Sequence, residues 1–163
     1  MWKMLTSGHH RTMMIMNIKP ISSELQIQVE NLKNKMAPDS YKYIGVDEGW
    51  YLLVADCDKY LTAINPDYQI LQIKEKFGGL RYYIKPINAT PKEVKDMNKV
   101  IRRYEGVASK TCEATGLPGV LMKSVGGWLK TLNPEYAAAS LHYARYEVVN
   151  KPPSDEEWSD AIR

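Results

Sequence analysis

Residues Ile73–Ile84, "IKEKFGGLRYYI", decide how the chain folds. Gly78 and Gly79 stand here between a basic run and an aromatic run. A nucleotide phosphate loop needs Gly-x4-Gly-Lys-Ser/Thr leading into a helix, and that longer run is absent. A β-hairpin fits instead. A two-residue turn at Phe77-Gly78 pairs Glu75 with Leu80, and one at Gly78-Gly79 pairs Phe77 with Leu80. The two registers differ by two residues, so both leave the same side chains on each face. One face carries Leu71, Ile73, Leu80, Tyr82 and Ile84, and the other carries Gln72, Lys74, Lys76, Arg81, Tyr83 and Lys85. The apolar face is expected inward. The cationic, ring-bearing face is expected outward.

Helical signals flank the hairpin. "ISSELQIQVENLKNKMAP" reads as a helix capped by Ser22 or Ser23, with Leu25, Val29, Leu32 and Met36 as its stripe and Pro38 past its end. In "VDEGWYLLVADCDKYLTAINPD", Trp50, Leu53, Val54, Cys57, Leu61 and Ile64 share a face, while Asp56, Asp58 and Lys59 point away. Thr90-Pro91-Lys92-Glu93 is a capping box with proline in the first turn. Val94, Met97, Ile101, Tyr104 and Ala108 follow at core-facing spacing, and Lys92, Lys95, Lys99, Arg102 and Arg103 lie opposite.

Downstream, "GVLMKSVGGWLKTL" reads as a second hairpin around Gly126-Gly127. Asn133-Pro134-Glu135 then caps a fourth helix running through Tyr143 or beyond, with Tyr136, Ser140 and Tyr143 on one side. The expected fold is α+β: about four main helices packed on a small antiparallel sheet of two hairpins. Residues 1–17 read as a flexible Met-rich arm, or as an upstream start before Met16, with His9 and His10 as arm residues. Residues 18–150 form a single domain. Residues 151–163 form a tail with a Pro pair and a short helix capped by Ser154.

Bulk composition narrows the function. The 163 residues are 44% hydrophobic and 25% charged, ordinary for a globular protein. A net charge of +3 is too small to imply a nucleic-acid polymer by itself, so the placement of charge must carry the argument. Eleven Tyr and four Trp stand against one Phe, a set suited to half-buried surfaces and ligand walls. Two cysteines make no disulfide framework, and with no signal peptide or membrane-length apolar run the expected location is the cytoplasm, the host's if the chain is phage-encoded.

"QIKEKFGGLRYYI" together with "CEATGLPGVLMKSVGGWLKTLNPEYA" resembles a family of small, largely uncharacterised bacterial and phage proteins. There a V-K-E-K-F-G-G-L-R-F-Y strand pair and a helix run into C-x-x-C-G-x-P-G and then G-G-W-x-x-T-L-C-x-x-H. The likeness covers Trp50 through Ala137. The resemblance implies an α+β fold and a small zinc knuckle, and no established reaction. Here Cys112 remains, but Thr115, Asn133 and Tyr136 stand at the other three ligand positions. One thiolate cannot hold structural zinc, which needs four Cys or His donors, so neither metal nor cofactor is expected.

Catalytic signatures are also lacking. His142 sits away from any nucleophile motif, and Asp47, Glu48, Asp56 and Asp58 are explained by capping and a solvated helix face. The basic-aromatic constellation is what remains. Lys74, Lys76, Arg81, Tyr83 and Lys85 are candidate ligand-binding residues, with Arg102, Arg103, Trp128 and Lys130 near if the third helix or second hairpin adjoins them. The expected function is non-catalytic capture of a small anionic nucleotide, as a phage-type sponge for a host immune signalling nucleotide. The alternatives are binding of single-stranded nucleic acid or of an acidic host protein, and, as a third class, phosphoesterase activity. Homo-oligomerisation, most simply as a dimer, suits a small Tyr-rich domain.

Overall fold

The computed structural model describes residues 18–149. The expected N-terminal arm and C-terminal tail helix lie outside the described residues. Four α-helices and two three-stranded sheets occur among the described residues. The α+β architecture expected from the sequence is therefore shown. The two hairpins belong to separate sheets, and each sheet gains a third strand that sequence patterning had not indicated.

The chain enters α1 (Ser23–Asn31), where the Ser22 hydroxyl accepts from Leu25 N at 3.2 Å, and leaves through a 3-10 turn at Leu32–Lys35. Strand β1 (Ile44–Gly45) follows, then a 3-10 turn at Glu48–Trp50 and α2 (Tyr51–Ile64). Strands β2 (Gln69–Lys76) and β3 (Gly79–Lys85) are the hairpin. Its turn is Phe77-Gly78, with Lys76 opposite Gly79 and Glu75 opposite Leu80. Both turn residues have positive φ, +53° and +78°, as the tight twist-matched hairpin turn requires. Strand β1 adds to β2 in parallel, with Ile44 beside Ile73 and Gly45 beside Lys74.

One expected inward residue is displaced. The ladder steps from Ile70 opposite Ile84 to Gln72 opposite Tyr83, so Leu71 is the extra residue of a bulge. Ile70 fills the core position at 0% exposure, and Leu71 turns out to solvent.

Helix α3 (Pro91–Ala108) starts at the complete Thr90–Glu93 capping box. Met97, Ile101 and Tyr104 pack with Ile73, Leu80, Tyr82 and the α2 residues Val54, Cys57 and Leu61 into the larger core. Helices α2 and α3 thus cover one face of the first sheet. Asp58, expected to face solvent, instead accepts from Tyr68 Oη at 2.6 Å and Lys35 Nζ at 2.7 Å. Tyr68 Oη also lies 3.0 Å from Tyr82 Oη, which satisfies two buried phenols that would otherwise be costly.

The second sheet has the order β5-β4-β6, from β4 (Val120–Ser124), β5 (Leu129–Leu132) and β6 (Tyr146–Val148). Helix α4 (Pro134–Ala139) is shorter than expected. Ser140 is extended, and its hydroxyl accepts from His142 N at 3.2 Å, which turns the chain out of the helix toward β6. Tyr136, Ser140 and Tyr143 are nonetheless all buried, the two rings 6.2 Å apart, in a smaller core with Cys112, Met122 and Leu132.

Candidate ligand-binding face

The hairpin's alternation sends its cations to the side away from α2 and α3. Lys74 stands opposite Arg81 on one row, continued on β1 by Gly45. The next row places Gln72 opposite Tyr83, and Gln69 stands opposite Lys85 beyond the bulge. Tyr83 and Lys85 are exposed, and Lys74, Lys76 and Arg81 are half-buried. Arg81 folds back toward the turn and donates from Nη1 to its neighbour's carbonyl, Leu80 O, at 2.9 Å. The Lys76 ammonium sits 5.3 Å from the Phe77 ring centre, so its apolar stem and charge follow the turn.

Tyr41 and Tyr43 extend this face and were missed by sequence reasoning. They are 86% and 60% exposed, with rings 6.2 Å apart. Tyr43 Cε1 would lie 3.2 Å from a Cβ at Gly45, so its ring crosses the bare glycine beside Lys74. The signal was present in "YKYIGV", where Tyr41, Tyr43 and Gly45 alternate with Lys42, Ile44 and Val46, but six residues beside a longer hairpin were not read as a strand. Together Tyr41, Tyr43, Leu71, Gln72 and Lys74 line a shallow basin of about 320 Å³. That is near the lower bound for small-molecule sites.

The remaining candidates are not brought to this face. Arg102 and Arg103 are exposed on α3, whose buried residues Ile101 and Tyr104 face the sheet's other side. The Trp128 indole, 76% exposed, lies over Gly126 in its own turn. Lys130 is the clearest correction. Its ammonium is 2.6 Å from Glu113 Oε2 and 3.0 Å from Asp47 Oδ2, in a partly buried ion pair that joins the two cores. Burial pushes the Glu113 carboxyl upward against the opposing pull of Lys130.

A larger cleft, about 770 Å³, opens between α1 and the smaller core. Its walls include Glu30, Asp47, Glu48, Tyr51, Tyr136 and Tyr143. Burial first, then the nearby Glu48, Asp47 and Glu30 carboxylates, raises the Tyr51 phenol. Three acids against Lys33 give this cleft the wrong sign for a phosphate.

The residues at the positions where the resemblance would place metal ligands do not fit zinc. Asn133 accepts from Tyr136 N at 3.0 Å and donates to Pro118 O at 2.9 Å, stitching together the loops that zinc would clamp. Thr115 Oγ1 accepts from Leu117 N at 3.2 Å, and Cys112 is the lone thiol there. Among the described residues no group of three or more His, Cys, Asp or Glu is placed to hold a metal ion. None of their helices is long and apolar enough to cross a membrane.

No protein-family model matches the chain, and neither the curated proteins nor the solved structures include a match to it.

Proposed function

We propose that the protein binds a small anionic nucleotide, without altering it, on the helix-free face of the first sheet. The observation that carries this reading is the register. It sets the Lys74–Arg81 cation row one step from the row of Gln72 and Tyr83, with Tyr43 beside them on the approach to β1. Cationic groups hold phosphate, and tyrosine faces stack on bases. Glu75, the carboxylate among the basin's lining residues, is committed to the turn, accepting from Gly78 N at 2.6 Å. It is therefore poorly placed as a general base, which favours capture over hydrolysis. In the phage setting that the family resemblance implies, such capture would sequester a host immune signalling nucleotide.

One observation favours a second reading. The face is open, and Tyr41, Tyr43 and Tyr83 spread across it, as on platforms that bind single-stranded nucleic acid. Calorimetry with mononucleotides, dinucleotides and a short oligo(dT), at about 50 and 200 mM salt, separates the two. The nucleotide reading expects saturation at fixed stoichiometry with modest salt dependence, loss of binding in Arg81→Ala and Tyr83→Ala, and recovery of intact ligand after heat denaturation. Tight oligo(dT) binding that collapses with salt transfers the face to the polymer reading. Turnover of the ligand makes the protein a phosphoesterase. Heat uptake from none of these probes overturns the nucleotide reading and leaves an acidic host protein as the partner.

A further inference from the structure

We infer that the unit recognised on this face is a dinucleotide, two bases joined through phosphate, and not a single nucleotide. The inference rests on the nucleotide reading above and specifies its ligand.

The face has two separate stacking stations. Tyr83 stands on β3 opposite Gln72 of β2, and Tyr43 lies just before β1 on the far side of β2. Neighbouring strands are about 4.8 Å apart, so the two tyrosines are rooted roughly 10 Å from each other. One base lying flat on either ring leaves the other uncovered. Both rings are solvent-exposed, 43% at Tyr83 and 60% at Tyr43, so each keeps a free surface for a base. Between them stands the exposed Gln72 amide, which has both donor and acceptor to offer a base edge or a ribose hydroxyl.

The cations are arranged for a phosphate shared by two such bases. Lys74 and Arg81 occupy adjacent strands one row toward the turn, about 6.6 Å along the strand from the stacking row. A bridging phosphate placed there is reached by Lys74, and by Arg81 once its guanidinium exchanges Leu80 O for the phosphate, while its two sugars lead back toward Tyr43 and Tyr83. Lys85 flanks Tyr83 from the opposite side, in position for a terminal phosphate. A mononucleotide carrying a long phosphate tail also satisfies the charges. It leaves one stacking station unused, and this difference separates the two ligands.

The test is a calorimetric series on the full chain with AMP, ATP, linear diadenylate and cyclic diadenylate, repeated in Tyr43→Ala, Tyr83→Ala and Tyr43→Phe. Stacking is worth about 1–3 kcal/mol per base, so each alanine variant should weaken the tighter-binding diadenylate at least about fivefold. Tyr43→Phe, which keeps the ring face, should restore that affinity. AMP should bind more weakly than either diadenylate and should not respond to both alanine variants. If AMP or ATP binds within about twofold of both diadenylates, or if only one tyrosine matters for all of them, the dinucleotide inference is wrong while the nucleotide reading stands. If none of the four ligands binds, both are wrong.

Discussion

The Lys130 ammonium lies 2.6 Å from a Glu113 carboxylate that is 1% exposed, and a second acid, Asp47, completes the cluster at 3.0 Å. A side chain that sequence alone offers to a ligand is thus spent inside the protein. Breaking a buried pair by removing one partner leaves an uncompensated charge, so Lys130→Met should cost about 3–5 kcal/mol in chemical denaturation. Burial already raises the folded-state pKa of Glu113, and losing Lys130 raises it further. An acid raised in this way contributes stability that is fully present below its unfolded pKa and is lost as pH rises through its folded pKa. The deficit of Lys130→Met relative to the parent should therefore narrow as pH falls from neutrality into the acid range. A deficit that widens on acidification would refute this.

Gly49 should tolerate no side chain. A Cβ there would lie 2.4 Å from both Cys112 O and Glu113 O and 2.5 Å from Gly116 N, all backbone atoms with nothing flexible to yield. Gly49→Ala is expected to destabilise by about 3 kcal/mol, at the upper end of overpacking costs. By contrast, Gly106→Ala meets nothing within 4 Å in the last turn of α3 and should stabilise by about 0.5 kcal/mol through helix propensity. Thermal melts of the two variants, shifting in opposite directions, check both.

Binding should discriminate between two arginine sites. Arg81→Ala removes a cation from the proposed face and should weaken nucleotide binding by about 1.5 kcal/mol or more, roughly tenfold. Arg102→Ala removes one from the outer side of α3 and should leave affinity within about twofold, as distant surface charges contribute little. Equal losses at both sites would mean that simple charge, not the face, governs binding.

Metal removal should have no effect on stability. The Asn133 bonds to Tyr136 and Pro118 join their loops without a metal, so a strong chelator should leave the melting temperature unchanged. Cys57 and Cys112 are both fully buried, and burial foremost raises the Cys57 thiol. Neither should react with a thiol reagent until the protein unfolds.

The elements most legible in the sequence were those specified by local chemistry. The Thr90 capping box, the hairpin at Phe77–Gly79, whose turn the sequence left open by one residue, and the α3 stripe each depend on residues within a few positions of one another. The Leu71 bulge escaped because alternation alone cannot reveal an extra residue, here one that lets Ile70 take the core position in place of Leu71. Strand β1 escaped because it is only two residues long and pairs with β2 in parallel, a contact between distant segments. On the proposed face, the shared side of Lys74, Arg81, Tyr83 and Lys85 followed directly from hairpin parity. Lys130 did not. Its partners Glu113 and Asp47 are 17 and 83 residues away, and no spacing rule predicts such a meeting.

The border between the two cores is crossed by polar links: Gly49 N to Glu113 O, Trp50 Nε1 to Thr111 O, and Thr131 Oγ1 to Gly78 O, each at 2.7 Å. The core on the side of α4 and the second sheet holds far fewer buried side chains than the other. The half holding α4 and the second sheet is therefore expected to detach first under stress. Because one of these links, from Thr131 to Gly78, ends on the tip of the β2–β3 hairpin, a molecule clamped across those two strands should slow that detachment and shield amides well beyond its own footprint from exchange.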